Sequence, residues 1–170
     1  QAEGSKGWAP TQMDQAITAR TVAEELAIGA GEELATAVID FAGLGQWADT
    51  HPLDVPAAKR RIVLVAAAMV RGADLVMLDE PTVGLDTPGY GELAELLRRY
   101  VDGEYARLIG RGPQSPASPA APGQASPQSP QASQAAPTVL WTCHDARYAT
   151  QVSDQPVSYT HLTLPTICSV

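Results

Sequence analysis

Two adjacent carboxylates, Asp79 and Glu80, have the chemical type and the position needed for metal-assisted chemistry. They directly follow the apolar residues 75–78, a run that predicts a buried parallel strand. At such a strand end, one carboxylate can hold a magnesium ion beside nucleotide phosphates while its neighbour orients or deprotonates a water molecule. Acidic pairs also occur at plain solvated strand ends, and the pair alone leaves both interpretations open.

A histidine follows the next predicted strand. Residues 138–142 predict a second short strand, which ends in Cys143-His144-Asp145. Because ligands of open α/β sheets gather at the carboxyl ends of the strands, we expect His144 to face the same pocket as the acidic pair. The alternative is a histidine at the edge of the core with a structural role only.

Helices must flank these strands. Apolar spacing between residues 21 and 45 predicts two short amphipathic helices, and residues 56–71 predict a longer, mostly buried one. Thr87-Pro88 begins a helix that covers the sheet, and residues 146–153 can begin another. The alternation of helices and strands predicts an α/β fold.

Two segments differ in composition from the rest. Residues 113–137 contain only Pro, Gln, Ser, Ala and Gly, which predicts a disordered insertion because the segment cannot bury enough apolar surface to offset its ordering entropy. Residues 156–170 resemble the conceptual translation of a sequencing adapter, with an ordinary terminal strand as the alternative. The domain is therefore assigned to residues 1–155.

Charge, hydropathy and cysteine content exclude several classes of protein. A net charge of −8 argues against nucleic acid as a partner, because phosphate neutralisation needs clustered Lys and Arg. No run of eighteen apolar residues is present to form a membrane-spanning helix. The two cysteines, Cys143 and Cys168, are too few for a disulfide framework or a Cys/His metal site. Gln1 in place of an initiator Met leads us to expect a longer reading frame.

The acidic block and the histidine together resemble a known family. Residues 79–86, Asp-Glu-Pro-Thr-Val-Gly-Leu-Asp, with His144 after the next strand, are similar to the ATP-binding subunits of ABC transporters. The similarity is greater still to the ATPases of energy-coupling-factor importers for vitamins and metal ions. It covers residues 18–154 approximately, without the insertion, and implies a partial P-loop NTPase (ABC ATPase) domain that lacks the phosphate-loop strand and helix.

The resemblance also implies roles for particular residues. Asp79 would act on Mg²⁺, largely through water, Glu80 would be the catalytic carboxylate, and His144 would touch the γ-phosphate of ATP. Asp86 would belong to the loop that crosses to the partner subunit. The implied cofactors are ATP and Mg²⁺, and the implied partners are a second ABC ATPase half and a membrane-embedded transporter component, at the cytoplasmic face of the cell membrane.

The signature motif departs from the family pattern. The family's Leu-Ser-Gly-Gly-Gln falls on residues 55–59, Val-Pro-Ala-Ala-Lys. Pro56 has no backbone N–H, and Ala57 and Ala58 place methyl groups where glycines admit phosphate. Lys59 could partly substitute as a point charge. In the family this segment forms a nucleotide site together with the partner subunit, which we call the composite site. We expect the composite site built with residues 55–59 to be weakened or inactive.

The phosphate-binding loop and the glutamine loop show further departures. No Gly-x-x-x-x-Gly-Lys-Ser/Thr occurs in the 170 residues, which we attribute to truncation, so this fragment alone is predicted not to hydrolyse ATP. Gln12 or Gln15 would be the remnant of the glutamine loop, with a plain surface role as the alternative.

Three functions stay open at this stage. The first is part of an ATPase that energises a membrane importer, of the energy-coupling-factor type. The second is a catalytically degenerate, regulatory nucleotide-binding half, which the altered 55–59 segment would suit. The third is a soluble ABC-type ATPase not linked to transport, which the negative charge and the lack of a basic arm disfavour.

Overall fold

The computed structural model describes residues 5–9, 17–111 and 136–155. Within them, short parallel strands alternate with helices, and the predicted α/β class is confirmed. In chain order the elements are β1 (Lys6–Ala9), α1 (Val22–Ala27), α2 (Glu32–Phe41), two 3₁₀ turns (Gly45–Trp47 and Pro52–Asp54), α3 (Ala57–Met69), β2 (Leu75–Leu78), α4 (Thr87–Val101), α5 (Glu104–Leu108), β3 (Thr138–Trp141) and α6 (Ala146–Val152).

Several sequence-based predictions fall on residues outside this set. The insertion assigned to residues 113–137 lies outside it except for residues 136 and 137, and the tail assigned to residues 156–170 lies wholly outside it. Gln12 and Gln15 are outside it as well. No helix in the described part of the chain is both long and apolar enough to cross a bilayer.

The strands form a parallel sheet in the order β1-β2-β3, with β2 in the centre. Leu78, the last residue of β2, pairs with Ala9 on one side and with Trp141 on the other. Since the strands are parallel and end in the same register, the residues that follow them meet at one edge of the sheet. This edge carries Asp79 and Thr142.

The sequence did not predict β1. Its residues, Lys-Gly-Trp-Ala, include a charge and a glycine and form no apolar run. A Cβ atom on Gly7 would lie 1.9 Å from the carbonyl oxygen of Ala68 in α3, so the missing side chain lets the helix pack directly against the strand. Tertiary packing rather than intrinsic propensity therefore forms this strand.

Helix α3 supplies most of the layer beneath the sheet. Its residues Ile62 to Ala66, with Ala68 and Met69, are buried, as predicted for an almost wholly apolar run. On the strands, Val76 and Leu78 belong to the same buried cluster. The helix begins one residue after Pro56, whose fixed φ suits the start of a helix. The core thus lies between α3 and one face of the sheet.

The opposite face of the sheet is open in the described structure. Trp8, Met77 and Leu140 lie side by side across the three strands, because Trp8 pairs with Met77 and Met77 pairs with Leu140. Trp8 is 58% exposed and Leu140 is 62% exposed. Large apolar side chains in one row on a sheet form a surface that usually contacts another protein segment. We call these three residues the open sheet face.

Two buried tyrosines hold the turn that leads into β2. The hydroxyl of Tyr100 in α4 donates to Ala73 O at 2.7 Å, and that of Tyr105 in α5 donates to Val70 O at 2.6 Å. Burial raises the pKa of Tyr105 to about 12, an effect that the Arg111 charge opposes. The helices after β2 therefore fix the turn that precedes it.

Candidate active site

The rim formed by β2 and β3 begins one residue beyond each strand. The N–H of Asp79 donates to Ala9 O at 2.9 Å, and the N–H of Thr142 donates to Leu78 O at 3.1 Å. These bonds continue the ladder past the last strand residues. They fix the backbone of Asp79 and of Thr142, so that the two residues lie side by side on adjacent strands.

The structure brings Glu80 and His144 into direct contact. Nε2 of His144 lies 3.2 Å from Oε1 of Glu80. The Glu80 side chain is only 13% exposed, whereas the His144 side chain is 91% exposed. The pair therefore consists of a largely covered carboxylate and an imidazole at the surface, in the segments that follow two neighbouring strands, as the sequence led us to expect.

The Glu80 backbone has an unusual conformation. Its φ is 50°, which makes it the one non-glycine residue with a positive φ in the described part of the chain. Such a conformation costs on the order of 1–3 kcal/mol and persists where surrounding contacts hold it. Here the Thr142 hydroxyl accepts from the Glu80 N–H at 2.9 Å. The chain leaves β2 in a sharp turn, and the Glu80 carboxylate reaches His144.

The same threonine hydroxyl contacts the other member of the acidic pair. Oγ1 of Thr142 donates to Oδ1 of Asp79 at 2.8 Å, a bond strengthened by the carboxylate charge. Sequence reasoning did not single out Thr142. Its position directly after β3, in register with Asp79, is the signal that could have identified it.

The loop that carries His144 is held on both sides. Asp145 caps α6 by accepting from the N–H groups of Arg147 and Tyr148. Its own N–H donates to Cys143 Sγ at 3.3 Å, and Thr82 Oγ1 lies 3.6 Å from the same sulfur. The residues on either side of His144 are thereby tied to the turn after β2.

An aromatic cluster docks α6 against α4. Tyr148 packs edge-on against Tyr90 at 4.8 Å and against Trp141 at 5.6 Å between ring centroids. Its hydroxyl donates to Tyr90 O at 2.9 Å, and burial raises its pKa to about 12. The helix after His144 therefore rests on the helix that follows the acidic block.

Asp86 lies at the start of α4 and caps it. Its Oδ1 accepts from the Gly89 N–H at 2.9 Å. A Cβ on Gly89 would come within 3.3 Å of the Ala58 side chain, so the first turns of α3 and α4 contact each other. Asp86 thus has a structural role in this chain, and the crossing role implied by the resemblance stays a prediction.

Lys59 is engaged within the chain. Its Nζ contacts both carboxylate oxygens of Glu92 at 2.8 Å, which joins the first turn of α3 to α4. The pair is partly exposed. Because Glu92 offsets its charge, Lys59 is a weaker ligand for a phosphate than a lone ammonium would be. Its nucleotide contact stays a prediction.

The donor set at the rim suits a hard cation. Asp79 and Glu80 offer carboxylate oxygens, the ligands that Mg²⁺ prefers, and Thr142 already orients one of them. Among the described residues, no three His, Cys, Asp or Glu side chains are grouped to hold an ion. A magnesium ion here would therefore take most of its ligands from water and substrate phosphates, as it commonly does in proteins.

Comparison with known proteins gives partial sequence matches. The chain is 34% identical over 68 residues to the lipoprotein-releasing system ATP-binding protein LolD 1 of Rhodopseudomonas palustris, covering 40% of this chain and 30% of that protein. It is 31% identical over 93 residues to the energy-coupling factor transporter ATP-binding protein EcfA2 of Streptococcus thermophilus, covering 49% of this chain and 33% of that protein. No family model matches the chain.

Solved structures share the fold. A dimeric bacterial ABC transporter cassette superposes with a TM-score of 0.59 at 15% identity, covering 86% of this chain and 55% of that one. The predicted fold, a partial ABC ATPase domain, is confirmed. The chain spans about a third of the length of these two curated relatives. One is an ATP-binding protein of a lipoprotein-releasing system and the other of an energy-coupling factor transporter, so the matches support an ABC-type ATP-binding subunit without selecting one transport type.

Proposed function

We propose that this chain is part of an ATP-binding and ATP-hydrolysing subunit that energises an ABC-type membrane importer. The observation that carries the proposal is the rim at the ends of β2 and β3, where Glu80 contacts His144 and Thr142 bridges Asp79 to the Glu80 backbone. The sequence matches to transport ATPases and the shared fold support it.

The side chains at the rim suit nucleotide hydrolysis. Asp79 would hold Mg²⁺, and bound Mg²⁺ would neutralise charge on the phosphates. Glu80, covered and close to an imidazole, would orient or deprotonate the attacking water. His144, exposed on the other side of the pair, would contact the γ-phosphate. Each group occupies the edge of the sheet where ligands of α/β proteins bind.

A complete site needs a cradle for the phosphates, and the 170 residues contain no motif for one. We propose that a further segment of the whole protein supplies it. The open sheet face, Trp8, Met77 and Leu140, offers an apolar surface on which such a segment could pack. In the whole protein, ATP, Mg²⁺, a second ATPase half and a membrane component would then meet at the cytoplasmic face of the membrane.

Within the ABC proteins we favour the energy-coupling-factor type. The resemblance of residues 79–86 and His144 to this group, together with the 31% identity to EcfA2 over 93 residues, supports this choice. The test is reconstitution of the protein from the complete reading frame with membrane components of either type. ATP hydrolysis stimulated by the energy-coupling-factor component is expected, and stimulation by the lipoprotein-release component instead would contradict the assignment.

A regulatory half is the second candidate, because of residues 55–59. Pro56 offers no N–H at the start of α3, and Lys59 is bound to Glu92. A site built with this segment would bind nucleotide without efficient turnover. Such a protein would still need Asp79 and His144 to bind nucleotide at its own site.

One experiment tests the proposed function directly. The complete reading frame and the 170-residue chain are expressed separately, and Mg²⁺-dependent ATP hydrolysis and binding of a fluorescent ATP analogue are measured for each. We expect hydrolysis only from the complete protein. Binding without hydrolysis would favour the regulatory half, and neither binding nor hydrolysis by the complete protein would refute both candidates.

A further inference from the structure

The Thr142 hydroxyl contacts both members of the acidic pair, the carboxylate of Asp79 and the backbone N–H of Glu80. It donates its proton to Oδ1 of Asp79 at 2.8 Å and accepts the N–H of Glu80 at 2.9 Å. A hydroxyl has one proton to donate and lone pairs to accept, so both bonds form at once without competing.

Each of the two bonds fixes a different degree of freedom. The bond to Asp79 fixes the rotation of its carboxylate. The bond to Glu80 fixes the backbone N–H of the residue whose φ is 50°. This bond helps to hold Glu80 in a conformation that non-glycine residues seldom adopt.

The backbone of Thr142 is itself held rigidly. Its N–H donates to Leu78 O at 3.1 Å, which continues the β2–β3 ladder by one residue. The side chain therefore projects from a fixed point on the adjacent strand. Rigid support of this kind positions reacting groups within fractions of an ångström, and its loss typically costs about 10- to 100-fold in activity or metal affinity.

We propose that Thr142 is a positioning residue that aims both Asp79 and Glu80 in the hydrolytic site. This inference rests on the proposed function, since it concerns how that site is held together. Thr142 acts through the Asp79 carboxylate and the Glu80 backbone rather than on the nucleotide. Its removal should lower the rate of the hydrolytic step while leaving the affinity for ATP almost unchanged.

The test uses three variants made in the complete reading frame. Thr142→Val removes the hydroxyl but keeps the branched shape, and Thr142→Ser keeps the hydroxyl. Thr138→Val makes the same chemical change at the first residue of β3, at the opposite end of the strand and away from the rim. Steady-state kcat, KM for ATP and the free Mg²⁺ concentration giving half-maximal rate are measured for each variant.

We expect Thr142→Val to lower kcat by about 10- to 100-fold, or to raise the half-maximal Mg²⁺ concentration by a similar factor, with KM for ATP within about threefold. Thr142→Ser should retain most of the activity, and Thr138→Val should match the unaltered protein. Hydrogen exchange of the Glu80 backbone amide, followed by NMR, should be roughly tenfold faster in Thr142→Val than in the unaltered protein, because the hydroxyl that accepts this N–H is gone. Thr142→Ser and Thr138→Val should show no such increase.

The outcomes separate this inference from the proposed function. If the unaltered protein hydrolyses ATP and Thr142→Val behaves like Thr138→Val, the positioning role is refuted and the proposed function stands. If the unaltered protein neither binds nor hydrolyses ATP, both are refuted. Should Thr142→Val not fold, Thr142→Ala is measured in its place, and unaltered kcat or a loss shared by Thr142→Ser would count against the inference.

Discussion

Nε2 of His144 lies 3.2 Å from Oε1 of Glu80, and this contact joins the turn after β2 to the loop after β3. Glu80 is the more covered of the two side chains, which suits a group that acts on a water molecule rather than one that remains fully solvated. The contact depends on the parallel pairing of the two strands and on their common end.

Replacing Glu80 with Gln in the complete protein should lower ATP turnover by roughly 100-fold or more, because an amide cannot accept the proton of the attacking water. ATP binding should persist, so bound ATP accumulates. The measurement is single-turnover hydrolysis together with the amount of retained nucleotide.

The matched control for Glu80 is Glu95→Gln. Glu95 lies on the exposed side of α4 and pairs only with Arg98 in the contacts described. Its substitution should leave turnover unchanged. Equal turnover in Glu80→Gln and the unaltered protein would remove Glu80 from the catalytic role.

The altered signature segment gives a second prediction. The combined change Pro56→Ser, Ala57→Gly and Ala58→Gly should raise turnover in the complete protein if this segment limits it, because backbone N–H groups and a hydroxyl then become available to phosphate. Steady-state ATPase assays measure the effect. The double change Ala57→Gly with Ala58→Gly, which keeps Pro56, separates the glycines from the hydroxyl, and no increase in either variant would favour the regulatory half.

The Lys59–Glu92 pair gives a third prediction. Glu92→Gln removes the charge that offsets Lys59, so the affinity for MgATP at the composite site should increase if Lys59 contacts phosphate. The free energy of unfolding should change by less than about 1 kcal/mol, because partly exposed ion pairs contribute little. Fluorescent nucleotide titration measures the affinity, with Lys59→Met as the opposing variant. If the affinity for MgATP is unchanged in both Glu92→Gln and Lys59→Met, the Lys59–Glu92 pair has a structural role only.

The close approach of β1 to α3 gives a fourth prediction. Gly7→Ala places a Cβ 1.9 Å from Ala68 O, so the strand must move, and we expect a loss of about 2 kcal/mol in the free energy of unfolding. Gly91→Ala in α4 is the control, since its Cβ position is open apart from the backbone of its own helix, and it should stabilise by about 0.5–1 kcal/mol. Urea unfolding measures both. Equal stability of the two variants would contradict the packing of β1 on α3.

The buried tyrosines predict a loss of stability in alkali. Burial raises the pKa of Tyr105 from 10.0 to about 12, so the folded state favours the neutral phenol. Its contribution is complete below pH 10 and is lost as the pH rises towards 12. Between pH 10 and 12, the free energy of unfolding measured with urea should fall less steeply with pH in Tyr105→Phe than in the unaltered chain. If the free energy of unfolding falls with pH equally in the variant and the unaltered chain, the pKa of Tyr105 is the same in the folded and unfolded states.

Much of the fold could be predicted because local pattern and packing agree. The apolar run of residues 75–78 is β2, the long apolar helix is α3, and Thr87-Pro88 opens α4. The short helix α5, Glu104–Leu108, and the strand β1 were not predicted. In β1 the decisive fact is the approach of Gly7 to Ala68, and no window of sequence shows that two distant residues will touch.

The candidate site was predicted in part for the same reason. Parallel strands must bring their carboxyl ends together, which places Asp79, Glu80 and His144 at one edge. The left-handed conformation of Glu80 and its bond to Thr142 arise from the exact register of two strands, which the sequence does not encode locally. The roles of Asp79, Glu80, His144, Asp86 and Lys59 towards nucleotide stay predictions.

The open sheet face, Trp8, Met77 and Leu140, should determine how the isolated 170-residue chain behaves in solution. Apolar side chains exposed to water favour self-association of the chain. We therefore expect concentration-dependent aggregation and a strong increase in the fluorescence of hydrophobic dyes. Trp8, at 58% exposed, should fluoresce at long wavelength, and its emission should shift to the blue if the proposed covering segment packs on it. The emission wavelength would thus report, without any nucleotide, whether the proposed segment has packed on the open sheet face.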